Sequence, residues 1–174
     1  MSNLKRYIRE VPDFPKPGIV FYDITTLILD PQGMGLALDG MESFVRSKRP
    51  DVLVAVESRG FVFGAALADR LGLGLALARK AGKLPADTVS ASYSLEYGTD
   101  HIELHQDAVK RGDRVVIVDD LLATGGTMAA VCRMVEELGG QVVGISTVVE
   151  LSFLPWHDRL SDYDVSYLVS YASE

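Results

Sequence analysis

Val115-Val116-Ile117-Val118 is an unbroken run of apolar β-branched residues, followed by Asp119-Asp120 and then Leu121-Leu122-Ala123-Thr124-Gly125-Gly126-Thr127. Such a run reads as a strand buried on both faces, the condition of a parallel sheet covered by helices. Two acids end the strand, and after the glycines Val131, Cys132, Val135 and Leu138 recur at helical spacing. Strand, acidic tip, glycine-rich turn and helix together demand an α/β fold with a ligand site at the carboxyl end of this strand. Unpaired N–H groups at the helix start, glycines that admit a ligand closely, and the hydroxyls of Thr124 and Thr127 make the turn an anion site. Carboxylates repel a lone phosphate, so Asp119 and Asp120 suit a ligand that also brings hydroxyls or a cation. A sugar phosphate, with its phosphate in the turn and its diol on the acids, meets that condition. Successive strand side chains point to opposite faces, so the two acids converge on one ribose only where the strand has already ended. The competing reading is a plain turn with solvated acids.

The two commonest nucleotide fingerprints are absent: no Gly-x4-Gly-Lys-Ser/Thr run occurs, and no Gly-x-Gly-x-x-Gly follows a strand. Other strand ends supply further chemistry. Asp51 to Val56 reads as a buried strand leading into Glu57-Ser58-Arg59-Gly60 and a helix carrying Phe61, Ala65, Leu67, Ala68 and Leu71. Arg59 offers a planar donor fork at a helix start, suited to phosphate, or else a surface pair with Glu57. Leu73 to Ala78 is a third short strand that delivers Arg79, Lys80 and Lys83, either a diphosphate clamp or a solvated basic loop. Leu84 to Gln106 contains two alternating runs and reads as a β-hairpin on a flexible arm, the kind of excursion that serves as a lid. Glu96 is its strongest proton handler besides the histidines. His101 and His105 lie four apart in a strand pattern, which lacks helical metal-ligand geometry.

At the N-terminal end, Leu4 to Arg9 suggests a short helix, and Pro12, Pro15 and Pro17 stiffen the loop that follows. Ile19 to Ile24 is strand-like, and its aromatics either cover a flat ring or pack on the core. Asp30-Pro31 reads as N-cap and first helical residue of a helix running to about Ser47. Beyond the central stretch, Gln141 to Glu150 and Val165 to Val169 complete a sheet of at least five strands, mostly parallel. Trp156 and His157 are assigned packing or surface roles.

The 174 residues fit one domain, residues 1–174, and 48% hydrophobic with 24% charged content is ordinary for a globular protein. A net charge of −7 argues against nonspecific binding of nucleic acid or membrane. The single cysteine permits no internal disulfide, and no signal peptide or membrane-length apolar run is present, so a cytoplasmic protein is expected.

Taken together, these runs resemble the type I phosphoribosyltransferases, and within them the enzymes that take adenine. Val115 to Thr127 is similar to that family's phosphoribosyl-diphosphate motif, and Ala91-Ser92-Tyr93-Ser94-Leu95-Glu96-Tyr97-Gly98 to the mobile loop of its adenine branch. Phe14 to Gly18, Glu57 to Phe61 and Arg79 to Pro85 match in order and spacing, so the resemblance spans nearly the whole chain. It implies a three-layer, Rossmann-like, mostly parallel sheet flanked by helices. An N-terminal hood over residues 1–28 and a flexible catalytic hairpin over residues 80–106 complete that fold.

The implied reaction joins adenine to 5-phosphoribosyl 1-diphosphate, giving AMP and pyrophosphate with Mg2+. The resemblance places the phosphoribosyl group on Asp119, Asp120, Ala123, Thr124, Gly125, Gly126 and Thr127, and pyrophosphate on Ser58, Arg59, Arg79, Lys80 and Lys83. Adenine falls to Val20, Phe21 and Leu121, the catalytic proton to Glu96, and the loop beside it to Tyr97. No direct protein ligand is implied for Mg2+, which the substrate mainly holds, near Asp119 at most. Tyr22 departs from the family pattern, in which arginine is frequent; this removes that arginine's side-chain contact but no backbone contact. A homodimer is implied, with no nucleic acid or membrane partner. The alternatives are a phosphoribosyltransferase for hypoxanthine, guanine or xanthine, and a noncatalytic sensor of the sugar diphosphate. The sensor calls for a basic surface or a DNA-binding segment, and the retained Glu96 favours an enzyme.

Overall fold

The computed structural model describes residues 4–94 and 99–172. Its main element is a seven-stranded sheet containing β3 (Val52–Val56), β4 (Gly74–Lys80), β5 (Thr88–Ser94), β6 (Thr99–His105), β7 (Arg114–Leu122), β8 (Gln141–Leu151) and β9 (Val165–Tyr171). Their order is β5-β6-β4-β3-β7-β8-β9; β4 through β9 run parallel, and β6 and β5 add antiparallel at one edge. The apolar run predicts a strand buried on both faces, and Val115, Val116, Ile117 and Val118 are each fully buried. Val116 and Val118 pack with Phe63, Leu67 and Ala68 of α3 (Gly60–Leu71) and with α2 (Pro31–Lys48); Val115 and Ile117 pack with α4 (Gly126–Glu137). Three layers result: helices α2 and α3, the sheet, and α4. Because β3 feeds α3 on one face while its neighbour β7 feeds α4 on the other, a crevice opens between the carboxyl ends of β3 and β7.

Local chemistry explains the element boundaries. Asp30 caps α2, its Oδ1 accepting from the N–H groups of Gln32 at 2.9 Å and Gly33 at 2.8 Å, with Pro31 following as expected. Arg49 ends α2 in the left-handed region with φ of 48°, immediately before Pro50. A short α1 (Thr25–Leu29), which was not anticipated from the sequence, connects to α2. The N-terminal segment makes a 3₁₀ turn at Leu4–Tyr7 and then a strand, β1 (Arg9–Pro12), where a longer helix was expected. β1 pairs antiparallel with β2 (Val20–Asp23), forming a two-stranded flap apart from the main sheet.

Three expectations need correction. On α3, Phe63 is fully buried whereas Ala65 is exposed, because the helix turns Phe63 and Leu67 rather than Ala65 toward β3. The hairpin β5–β6 is joined to the sheet: Arg79 pairs with Glu103 and Lys80 with Ile102, and Ile102 and Leu104 sit in the core. Apolar alternation on β6 drives this docking, so the hairpin's base is anchored rather than carried on an arm.

The third correction concerns the acids, which do not end the strand. β7 continues to Leu122, with Asp119 opposite Thr147 and Leu121 opposite Val149 on β8. What changes at the acids is the alternation. Val118 and Leu121 pack on the same face, with α2 and α3, although they are three positions apart, a step that on a regular strand leads to opposite faces. β8 slips in the same way, since consecutive Val148 and Val149 both join that face. The break in alternation falls at the acids, where a strand end was expected.

Candidate active site

Ser58, Arg59, Lys80, Asp119, Asp120, Leu121 and Thr127, all singled out from the sequence, line one cleft of about 310 Å³ together with Glu57, Tyr93 and Ile102. A smaller adjoining hollow of about 90 Å³ is lined by Ala123, Thr124, Gly125, Gly126 and Thr127. Asp119, Leu121 and Thr127 border both, which makes the two spaces continuous.

The hollow is built by the start of α4. Gly125 takes the left-handed conformation at the N-cap, φ 76°, and a Cβ there would lie 3.2 Å from Cβ of Trp156. No side chain caps α4, so the turn's N–H groups remain for an anion.

The acids divide their work. Asp120 is buried, and its Oδ2 accepts from Arg59 Nε at 2.5 Å. Asp119 Oδ1 accepts from the Asp120 backbone N–H at 2.8 Å. Burial and then the neighbouring Asp120 charge push the Asp119 carboxyl well above its ordinary range, with Arg59 pulling the other way. α3 begins directly against this pair: a Cβ on Gly60 would sit 2.8 Å from Asp119 Oδ1.

Each cation around the cleft already has an anionic partner. Besides Arg59 on Asp120, Lys80 Nζ lies 3.2 Å from Asp100, whose hydrogen bond and charge hold the ammonium above its ordinary value. Glu57, reached through a cis Glu57–Ser58 bond, binds the two residues that end β4. Its Oε2 accepts from Lys80 N–H at 2.9 Å and Arg79 Nε at 3.2 Å. Arg79 also donates to the Lys83 carbonyl at 3.3 Å. Arg79 and Lys83 do not line the cleft, unlike the sequence expectation for them; the Glu57 carboxylate turns the Arg79 guanidinium aside.

The flap approaches from above. The Arg59 guanidinium lies 5.8 Å from the Phe21 ring centre, and Phe14 meets Phe21 edge-on at 5.3 Å. Arg59 thus bridges Phe21 and Asp120. Val20 lies opposite Pro12, which brings no N–H, so the Val20 carbonyl is not taken up by that residue. Tyr22 points away from the cleft, stacked on Tyr171 at 3.6 Å in the core. Its departure from arginine is therefore a packing feature.

Sequence reasoning missed Tyr93 and Asp100. Tyr93 lines the cleft beside Thr127, its hydroxyl bonded to Asp100 Oδ2 at 3.2 Å. The available signal was the inward alternation of Ala91 with Tyr93 and of Ile102 with Leu104. Glu96 and Tyr97 lie outside the described residues. Among the described residues no group of three or more His, Cys, Asp or Glu is arranged to hold a metal ion, and no helix is long and apolar enough to cross a membrane.

The phosphoribosyl transferase domain model matches residues 26–169. The chain is 54% identical over 171 residues to the adenine phosphoribosyltransferase of Solibacter usitatus, covering 98% of this chain and 99% of that protein. It is 49% identical over 169 residues to the Clostridium botulinum adenine phosphoribosyltransferase, covering 97% and 98%. The crystal structure of adenine phosphoribosyltransferase from Thermoanaerobacter pseudethanolicus superposes with a TM-score of 0.93 at 49% identity, covering 97% and 98%. The Saccharomyces cerevisiae enzyme, complexed with adenine and an imino-altritol bisphosphate, superposes with a TM-score of 0.90 at 37% identity, covering 95% and 96%.

Proposed function

We infer that this chain, which belongs to the phosphoribosyl transferase family, transfers the 5-phosphoribosyl group of 5-phosphoribosyl 1-diphosphate to adenine, releasing AMP and pyrophosphate in purine salvage. The observation that carries this reading is near full-length identity of about half to enzymes that bear the adenine name. The cleft at the β3–β7 crevice supports it, since its two continuous spaces suit a ligand with phosphate at one end and diphosphate at the other.

In this reading Ala123 to Thr127 take the 5′-phosphate on backbone N–H groups, helped by the Thr124 and Thr127 hydroxyls. Asp119 and Asp120 hold the ribose hydroxyls and sit near the positive charge that develops on the ring as its bond to diphosphate breaks, which favours the transition state over the ground state. Ser58, Arg59 and Lys80 receive the diphosphate, with Arg79 held by Glu57 and in turn bonded to the Lys83 carbonyl. To bind, the substrate takes over donors now held by Asp120 and Asp100. Adenine lies between Phe21 and Leu121, and the Val20 backbone matches its paired donor and acceptor. Glu96, with Tyr97 beside it, handles the proton that adenine loses.

The donor set fits a magnesium ion that arrives on the diphosphate. Asp120 and Glu57 are engaged by cations, and Asp119, which borders both spaces, is the carboxylate left to meet the ion. Mg2+ supplies charge neutralisation of the leaving diphosphate. The chain is one catalytic domain, residues 1–28 covering the base and residues 80–106 the reacting centre, and it works in the cytoplasm as a homodimer. A turnover assay with adenine, hypoxanthine, guanine and xanthine in competition tests the reading: AMP should form preferentially, and preference for an oxopurine would refute it.

A further inference from the structure

Glu150 is 2% exposed, yet among the described residues no lysine, arginine or histidine forms an ion pair with it. Its partners are aromatic. Oε2 accepts from Trp156 Nε1 at 2.8 Å, Tyr167 meets the indole edge-on at 6.4 Å, and the carboxylate helps to raise the Tyr167 phenol above its ordinary value. Burying a carboxylate without a cation is unfavourable, and apolar packing of similar volume would be the more stable choice here. The acid therefore needs a reason beyond filling space.

Its position supplies one. Glu150 lies opposite Leu122, the last residue of β7 before the phosphate turn. Trp156, 5% exposed, places its Cβ 3.2 Å and its Cα 3.4 Å from where a Gly125 Cβ would be, with Leu160 Cδ1 at 3.5 Å. Gly125 carries the left-handed turn that aims the N–H groups at the start of α4, so the surface it rests on fixes where those donors sit. Trp156 is that surface, and Glu150 holds the indole.

We propose that Glu150 and Trp156 are positioning residues for the phosphate turn, the buried carboxylate locking the indole so that the tryptophan backbone sets Gly125. The proposal rests on reading Ala123 to Thr127 as the 5′-phosphate turn. It gives the turn a second, non-contiguous support that touches no substrate atom. It also makes Trp156, the chain's single tryptophan, an internal reporter of the turn.

The test uses the full chain and ribose 5-phosphate as probe. Saturating ribose 5-phosphate should change the intrinsic tryptophan emission, while adenine alone should not. By calorimetry, Glu150→Leu and Trp156→Phe should weaken ribose 5-phosphate about tenfold, the scale of one lost charge-assisted hydrogen bond. Glu150→Gln, which keeps an acceptor for the indole, should stay within about twofold. In turnover, KM for the sugar diphosphate should rise in the first two variants with KM for adenine unchanged. Equal losses for both substrates, unaltered ribose 5-phosphate affinity in folded Glu150→Leu or Trp156→Phe, or silent emission at saturation would each overturn the proposal. Should Glu150→Leu fail to fold, Trp156→Phe and the wild-type emission titration still decide it. Absence of AMP formation by the wild type would count against the proposed function while leaving these binding measurements to stand or fall separately.

Discussion

Replacing Gly60 by alanine probes the tightest junction in the crevice. The added Cβ would meet Asp119 Oδ1 at 2.8 Å, the Val118 carbonyl oxygen at 3.0 Å and Asp119 Cα at 3.1 Å. Comfortable carbon contacts begin near ~3.5 Å, and two of these three neighbours are backbone atoms of a fully packed strand, which cannot rotate aside. Overpacking of this kind costs about 1–3 kcal/mol, against a small gain from alanine at a first helical position. A net loss near ~2 kcal/mol lowers Tm by roughly 4–8 °C for a chain of this size. Because the start of α3 must back away from Asp119, Arg59 should lose its grip on Asp120, and KM for the sugar diphosphate should rise while KM for adenine holds. Gly35→Ala is the control: it lies within α2 with nothing within 4 Å of a new Cβ, so it should gain about 0.5–1 kcal/mol. Thermal melts and steady-state kinetics on both variants decide the matter. A Gly60→Ala protein that melts with the wild type and keeps its KM would refute the claim that this contact sets the crevice.

Glu96→Gln should lower kcat about a hundredfold or more while binding affinities stay near wild type, the pattern of a lost proton transfer; near-normal turnover would remove Glu96 from the chemistry. Asp119→Asn combined with Asp120→Asn should weaken the sugar diphosphate about tenfold or more by calorimetry, and unchanged affinity would count against the ribose role. Asp119→Asn alone should raise Tm at neutral pH. A carboxyl raised on folding binds its proton more tightly in the folded state, so wild-type stability falls as pH climbs from the ordinary carboxylate range through the raised folded value. The advantage of Asn should vanish at acidic pH, and a pH-independent difference in melts would contradict the assignment. The Cys132 thiol, pushed up to about 12 by burial, should resist a disulfide reagent at neutral pH until the protein is unfolded; rapid labelling of the native protein would show the helix face to be open.

The parallel sheet was readable from Val115 to Val118, because a strand wet on neither face has no polar residues to place. The capped start of α2 was equally plain in Asp30-Pro31. The slip at Asp119-Asp120 was not, since it depends on β8 yielding in step, and one strand's pattern does not contain its neighbour's. The docking of β6 onto β4 is likewise a tertiary choice, visible in sequence only as alternation that could have faced either way. At the site, residue types singled out Arg59, Lys80 and the glycine turn, which the fold brings to adjoining spaces. What they withheld was partnership. Arg79 could not be seen turning to Glu57, nor Tyr93 coming to lie beside Thr127, because those neighbours belong to segments far apart in the chain.

The adjacency of β3 and β7 has a consequence for how such a protein can change over time. The turns at their ends are separated by a single strand spacing, about 4.8 Å in the hydrogen-bonding direction, and that distance is written into the backbone ladder rather than into any loop. Insertions or substitutions in the flap or the hairpin leave that spacing untouched. Altering it would require another strand between Val52–Val56 and Val115–Val118, which would dismantle the core on both faces at once. The crevice is thus a fixed-gauge fitting around which the flap and the hairpin are free to diverge.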